Sequence, residues 1–351
     1  MREIHPSIGS GNLTIEIDGG QGEGGGQIVR TAVALAGALG KEIRIYNIRK
    51  GRKPAGLRPQ HLAAVSLAAE ICDATVSGLK AGSTEMEFAP GTITGGEYEW
   101  DVGTAGSVSL VLQTCLIPAL FAKAPIRLKI MGGTDVPWSP PIDYLDCVFL
   151  PVIQRLGANV ELEIEQRGFY PSGGGVVVAN ISPVGGLGSI DLSDRGELRE
   201  IYGRVASRNL PQHVADRMRN SARKVLSAYP SVRIETDSAS GPSTGVSIVL
   251  VGRFERTHLG ASVLGEKGLP AEKAGESAAE FLSESISSGE TLDEHATDQI
   301  IPFLFLAKGS SVFKTSELTL HAKTNISVVR QFIDRRITLT QEDRLVRVSV
   351  G

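Results

Sequence analysis

The order strand, helix, strand, helix, strand, strand occurs twice in succession along this chain, at a spacing of about 80 residues. In the first pass an alternating strand, Leu13 to Ile17, leads through a glycine-rich turn to an apolar helix ended by Gly40. A strand from Glu42 to Ile48, a helix from Gln60 to about Ala74 with Pro59 at its first position, and strands at 74–79 and 84–88 complete it. The second pass runs through a strand at 96–102, a helix after Gly103-Thr104-Ala105-Gly106-Ser107 and a strand at 126–130. A helix from Ile142 to Leu156 and strands at 159–165 and 175–181 follow. Such a period is too long for a solenoid and suits a duplicated small domain.

A third copy can be assembled from two separated parts. A strand at 189–192 begins it; a helix from Asp298 to Ala307 resumes it, followed by a strand from Ser311 to Leu320, a helix from Ile326 to Ile333, and strands at 337–340 and 345–350. The expected fold class is α+β, built from three βαβαββ units that span residues 1–184 and 288–351. An inserted α/β domain fills residues 185–287, with a helix from Pro211 to Tyr229, three strands and a helix from Ala271 to Ile286.

The turn after the first strand, Asp18 to Arg30, holds six glycines in thirteen residues. Glycine brings backbone close to a ligand, and a helix N-terminus just beyond it offers N–H groups and a positive dipole end to phosphate. Arg30, in the first helical turn, leans back toward the same spot. Glu23 would repel a bare phosphate there and fits beside a divalent ion. A second corner, Arg49-Lys50-Gly51-Arg52-Lys53 through Arg58, is basic without an acid and precedes Gln60 and His61 at a helix start. Two such corners suit a polyphosphate.

Of the six histidines, His5 is terminal, His213 and His258 fall in the insertion, and His61 and His295 open helices. His321 stands alone at the end of the expected strand through Leu320. Asp298 and Gln299 offer an acid and an amide nearby. The spacing Gly20, Gly22, Gly25 also matches a dinucleotide turn, so a Rossmann nicotinamide enzyme is an alternative. The next strand, however, ends in Asn47-Ile48-Arg49 where an acid would hold the ribose. A binding protein without turnover is equally compatible with glycine turns and basic corners.

Net charge of −3 excludes a protein that coats nucleic acid by global attraction, so such a partner must be gripped locally. Arg204, Arg208, Arg217, Arg219, Arg223 and Lys224 in the insertion are the expected additional backbone grip. Three cysteines, Cys72, Cys115 and Cys147, suit neither a disulfide framework nor a zinc site. With no apolar signal core and no bilayer-length apolar run, a soluble cytoplasmic protein is expected.

The glycine turn, Asp18 through Arg30, resembles the opening signature of the RNA 3′-terminal phosphate cyclases. The resemblance continues through Ile48-Arg49, Gln60-His61-Leu62, Gly103 to Ser107 with Leu112-Gln113-Thr114, and Gly132-Gly133-Thr134-Asp135. It extends to Arg167-Gly168-Phe169-Tyr170-Pro171, Asp298-Gln299, and His321 with Thr324-Asn325. It implies three units similar to the C-terminal domain of translation initiation factor 3. It also implies an ATP- and divalent-metal-dependent (Mg or Mn) enzyme that converts an RNA 3′-phosphate to a 2′,3′-cyclic phosphodiester. By that resemblance His321 is the nucleophile that becomes adenylylated and Glu23 is a metal-binding acid. Arg30, Arg49, Arg52 and Gln60 contact phosphate, and Gln113 contacts adenine. Pro140, Tyr144, His295, Ala296, Thr297, Asp298 and Gln299 build the nucleotide pocket, His295 standing where relatives carry tyrosine. The partners implied are ATP and an RNA with a 3′-phosphate end, without a membrane; the oligomeric state stays open.

Overall fold

The computed structural model describes residues 14–351; His5 and the first residue of the expected opening strand, Leu13, lie outside the described residues. The chain is α+β. Strand β1 (Ile15–Asp18), helix α1 (Gly26–Leu39), strand β2 (Ile43–Tyr46), helix α2 (Pro59–Ile71), and strands β3 (Thr75–Ser77) and β4 (Met86–Ala89) form the first group. Its sheet has the order β1-β2-β4-β3, with β1 and β2 parallel and the other pairs antiparallel. Strand β5 (Gly96–Asp101), helix α3 (Val108–Leu120) and strand β6 (Ile126–Gly132) begin the second group. The expected helix over 142–156 is instead α4 (Ile142–Tyr144), a π-helical turn (Leu145–Phe149) and α5 (Leu150–Gln154). Strands β7 (Asn159–Gln166) and β8 (Gly175–Ser182) close a sheet of order β5-β6-β8-β7, again with one parallel pair.

Strand β9 (Leu198–Arg208) follows, then helix α6 (Gln212–Val225), strands β10 (Val232–Ala239), β11 (Gly245–Phe254) and β12 (His258–Leu264), and helix α7 (Ala271–Ser288). Sequence reasoning missed β9, although it is central in the order β10-β9-β11-β12; its Arg199, Glu200 and Arg204 obscure the apolar alternation. Helix α8 (Glu294–Leu306), strand β13 (Ser311–Thr315), helix α9 (Leu320–Val329) and strands β14 (Ile337–Glu342) and β15 (Leu345–Val350) complete the chain. Their sheet, β13-β15-β14, has three strands. The strand expected at 189–192 is reduced to one parallel bridge between Asp191 and Val312.

Two expected boundaries shift in a way that matters for the site. The strand expected through Leu320 stops at Thr315, and α9 begins at Leu320. The Thr319 hydroxyl accepts a hydrogen bond from Ala322 N at 2.9 Å, the N-cap geometry that starts a helix. His321 therefore sits in a first helical turn, not at a strand end. Helix α8 likewise starts earlier than expected, capped by Asp293 on the N–H groups of His295 and Ala296.

Helices α1, α2, α3, α8 and α9 meet in one continuous apolar core, through α1 against α2, α3 and α9 and α8 against α9. Residues 201–286 supply a second, separate apolar cluster between α6, α7 and their sheet. The first core is tight where α1 meets α2: a Cβ at Gly26 would collide with the His61 imidazole. Burial and the surrounding arginines pull the His61 pKa down to about 3, and its neutral Nδ1 accepts from Arg58 N at 3.0 Å. The unfolded chain binds a proton near pH 6.5 and the folded chain does not, so acid costs stability. That loss is about 1.4 kcal/mol per pH unit between 6.5 and 3 for this residue alone. Denaturant midpoints measured across that range should fall in the native protein and fall less steeply in His61→Gln, where buried His258, its pKa lowered to about 4, still contributes.

Candidate active site

The turn between β1 and α1 folds tightly because Gly22 and Gly24 adopt left-handed backbone angles, φ 57° and 60°. A Cβ at Gly22 would strike the Thr324 hydroxyl of α9. That hydroxyl accepts from Glu23 N at 3.2 Å, and the Thr31 hydroxyl donates to Asn325 Oδ1 at 2.7 Å. Helix α9 is thereby locked across the glycine turn. Gly25 caps α1 without a side-chain bond, so the helix offers its first N–H groups to the space in front.

The lock delivers His321. Its Nδ1 lies 2.6 Å from Gln27 Oε1 and 2.6 Å from Glu23 Oε2, both acceptors, so Nδ1 carries the proton. Nε2 is left with its lone pair. Burial lowers the His321 pKa below 6.5, with Arg30 and Arg52 adding to the effect and Glu23 opposing it. Neutral imidazole with one nitrogen tethered and the other open is a nucleophile at neutral pH.

Around it stand cations. Arg52 pairs with Glu23. Asn47 and Arg49 both take left-handed angles, φ 53°, which makes the chain turn sharply after β2. Arg49 Nε ends buried without a hydrogen-bond partner among the described residues. Arg30 forms no ion pair among the described residues. Part of its side chain reaches the cleft wall, yet protein surrounds it closely enough to hold its pKa down to about 10. Enclosed guanidinium groups without counter-charges, beside a free helix N-terminus, are complementary to a polyanion.

A cleft of about 1420 Å³ joins these groups to Gln60, Gln113, Pro140, His295, Asp298 and Gln299. Gln113 Nε2 donates to Gln299 Oε1 at 2.8 Å. The Thr319 hydroxyl donates to Asp298, whose pKa burial raises to about 7. Tyr144, Ala296 and Thr297 are fully buried and stand behind the wall; Tyr144 donates to Asp293 and meets the half-exposed His295 edge-on at 5.9 Å. Gln27, Thr319 and Thr324 escaped sequence reasoning as site residues. Thr319 carried a signal, a threonine one residue before a helix.

The expected grip from the insertion is largely engaged elsewhere. Arg204 pairs with Asp143, Arg208 with Asp237, Arg217 with Glu272 and Arg219 with Asp216. No group of three or more His, Cys, Asp or Glu residues is placed to hold a metal among the described residues, and no helix there is long and apolar enough to cross a membrane. The Rossmann alternative fails on topology, since among the described residues each sheet carrying the glycine turns has only one parallel pair.

The depressed His321 pKa sets the acid limb of any reaction it starts. The half-rate point for nucleophilic attack should lie below pH 6.5. Asp298→Asn removes a neighbouring carboxyl whose pKa lies at about 7, and a pH–rate profile of that variant separates its contribution from that of His321.

A family model for the RNA 3′-terminal phosphate cyclases matches residues 21–339. The chain is 46% identical over 338 residues to an RNA 3′-terminal phosphate cyclase of Nitrosospira multiformis, covering 95% of each protein. It is 46% identical to that of Methanopyrus kandleri (91% of this chain, 93% of the relative) and 47% to that of Ignicoccus hospitalis (91% and 92%). The chain is an enzyme of the RNA 3′-terminal phosphate cyclase family.

Proposed function

We propose that this enzyme uses ATP to close an RNA 3′-phosphate into a 2′,3′-cyclic phosphodiester through an adenylyl intermediate on His321. The observation that carries the reading is the tethered Nδ1 of His321, which leaves Nε2 nucleophilic in a cleft with uncompensated guanidinium groups. Nε2 attacks the α-phosphorus of ATP; an N–P bond forms, the α–β P–O bond breaks and pyrophosphate leaves. An oxygen of the RNA 3′-phosphate then takes the AMP, breaking the N–P bond. The adjacent 2′-OH attacks the activated phosphorus, loses its proton and expels AMP. Phosphoryl-type transfer asks a protein chiefly for alignment and charge neutralisation, which Arg30, Arg49, Arg52 and Gln60 supply. Pro140 and His295, with Gln113 and Gln299, line the same cleft and would hold the adenine.

Glu23 fits a divalent ion only in part. One carboxylate suffices where substrate phosphates complete the coordination; here Oε1 pairs with Arg52, while Oε2, near His321 Nδ1, is buried without a hydrogen-bond partner among the described residues and is the oxygen that would hold the ion. Such an ion supplies charge neutralisation on the phosphates.

The same reading divides the chain into three units resembling the C-terminal domain of translation initiation factor 3, at 1–184 and 288–351, and an insertion at 185–287. Two sheets of identical strand order, the Asp191–Val312 bridge at the place of a fourth strand and the separate apolar cluster support it.

Incubation with α-labelled ATP in the absence of RNA tests the reaction. Label on the protein, labile in acid and stable in alkali as a phosphoramidate is, is the expected result. Cyclisation with no trace of labelled protein would overturn the intermediate.

A further inference from the structure

Two aromatic side chains on the cleft are not needed by anything described above. Trp138 is 99% exposed and Tyr170 63% exposed, and both line the cleft that holds His321. A tryptophan open to water gains nothing for the fold, and this one sits at φ 67°, a left-handed angle unfavourable for a bulky residue. Prolines 137, 140 and 141 and a hydrogen bond from the Ser139 hydroxyl to Val136 O at 3.1 Å shape its loop. The Tyr170 loop runs beside it, because Asp135 and Phe169 form a parallel bridge just before the two aromatics.

We propose that Trp138 and Tyr170 form a stacking platform for the terminal bases of the RNA, on the 5′ side of the reacting phosphate. The proposal rests on the cyclase reading above and extends it to the second substrate. The cleft, at about 1420 Å³, exceeds the roughly 300–1,000 Å³ of small-molecule pockets, so ATP leaves room for a further occupant. Lys53 and Arg58, which the ATP reading leaves unassigned, line it and complement a phosphodiester strand. With a net charge of −3 and most of the insertion's cations paired, long-range attraction cannot supply the affinity. Stacking can: bases of any identity have a π-face, and aromatic platforms hold single strands without reading sequence. A platform of two side chains serves two or three nucleotides. Affinity should therefore rise from a nucleoside 3′-phosphate to a trinucleotide and then level off.

The test uses the full chain and short RNAs with a 3′-phosphate. Trp138→Ala and Tyr170→Ala should each weaken RNA binding about 5- to 150-fold, the range expected for one lost stacking contact. Labelling by ATP without RNA should be unchanged, and Trp138→Phe should restore most of the RNA affinity. The chain has two tryptophans, and Trp100 packs against the core. Intrinsic fluorescence should therefore be quenched by RNA in the native protein and unresponsive in Trp138→Phe. This readout needs no ATP, so it stands apart from the fate of the adenylyl intermediate. Unchanged RNA affinity in both alanine variants would overturn the platform. So would a parallel loss of ATP labelling, which would assign the aromatics to adenine. Self-association abolished by Trp138→Ala, with RNA affinity intact, would assign the surface to a second copy of the chain.

Discussion

His321→Ala should lose ATP labelling and cyclisation together, by three orders of magnitude or more, the scale on which removal of a covalent nucleophile acts. The side chain is half exposed, so the fold should tolerate the change within about 0.5 kcal/mol. Circular dichroism and thermal unfolding check that part. The geometry adds a sharper expectation. Glu23 and Gln27 both face Nδ1, so Gln27→Met should slow labelling without abolishing it, because Glu23 still fixes the tautomer. Retained labelling in His321→Ala would falsify the assignment of the nucleophile.

Arg30→Met should do two opposite things. The guanidinium is enclosed, without an ion pair among the described residues and held at a depressed pKa, so the fold bears a desolvation cost that Glu23 offsets only in part and an anionic ligand would offset further. An unbranched apolar side chain of similar length removes that cost, and the melting temperature should rise, by on the order of 1 kcal/mol in stability. Labelling by ATP should fall about 10²–10³-fold, the scale of losing one preorganised donor to developing phosphate charge. ATP should raise the melting temperature of the native protein far more than that of the variant. A variant less stable than the native protein would show that Arg30 supports the fold rather than waiting for an anion.

The glycine turn and the basic turn were legible in the sequence as tight strand-to-helix corners because they are local. Glycine content, a strand before, a helix after and a run of like charges all lie within a few residues of one another. The setting of His321 was not. Leu318 and Leu320 alternate as a strand would, and only the Thr319 cap shows that the helix has begun. The partners of His321, Glu23 and Gln27, lie almost the whole chain away. The pairing of Arg217 on α6 with Glu272 on α7, and of Arg208 at the end of β9 with Asp237, is equally invisible in the sequence. The π turn at Leu145–Phe149 keeps the helical spacing of apolar residues, so nothing in the pattern marks the extra residue.

The hydrogen bond that ties the glycine turn to Thr324 joins residues 301 positions apart. During synthesis at about 5–20 residues per second, the turn waits roughly 15–60 s for its partner to be made. Until then Glu23 has no imidazole to orient and Gly22 has no hydroxyl to close upon. A nascent chain can fold its first sheet early and still be unable to activate ATP. On the proposed mechanism, adenylylating power arrives only with the last stretch of polypeptide, which carries both His321 and the Thr324 that locks the turn.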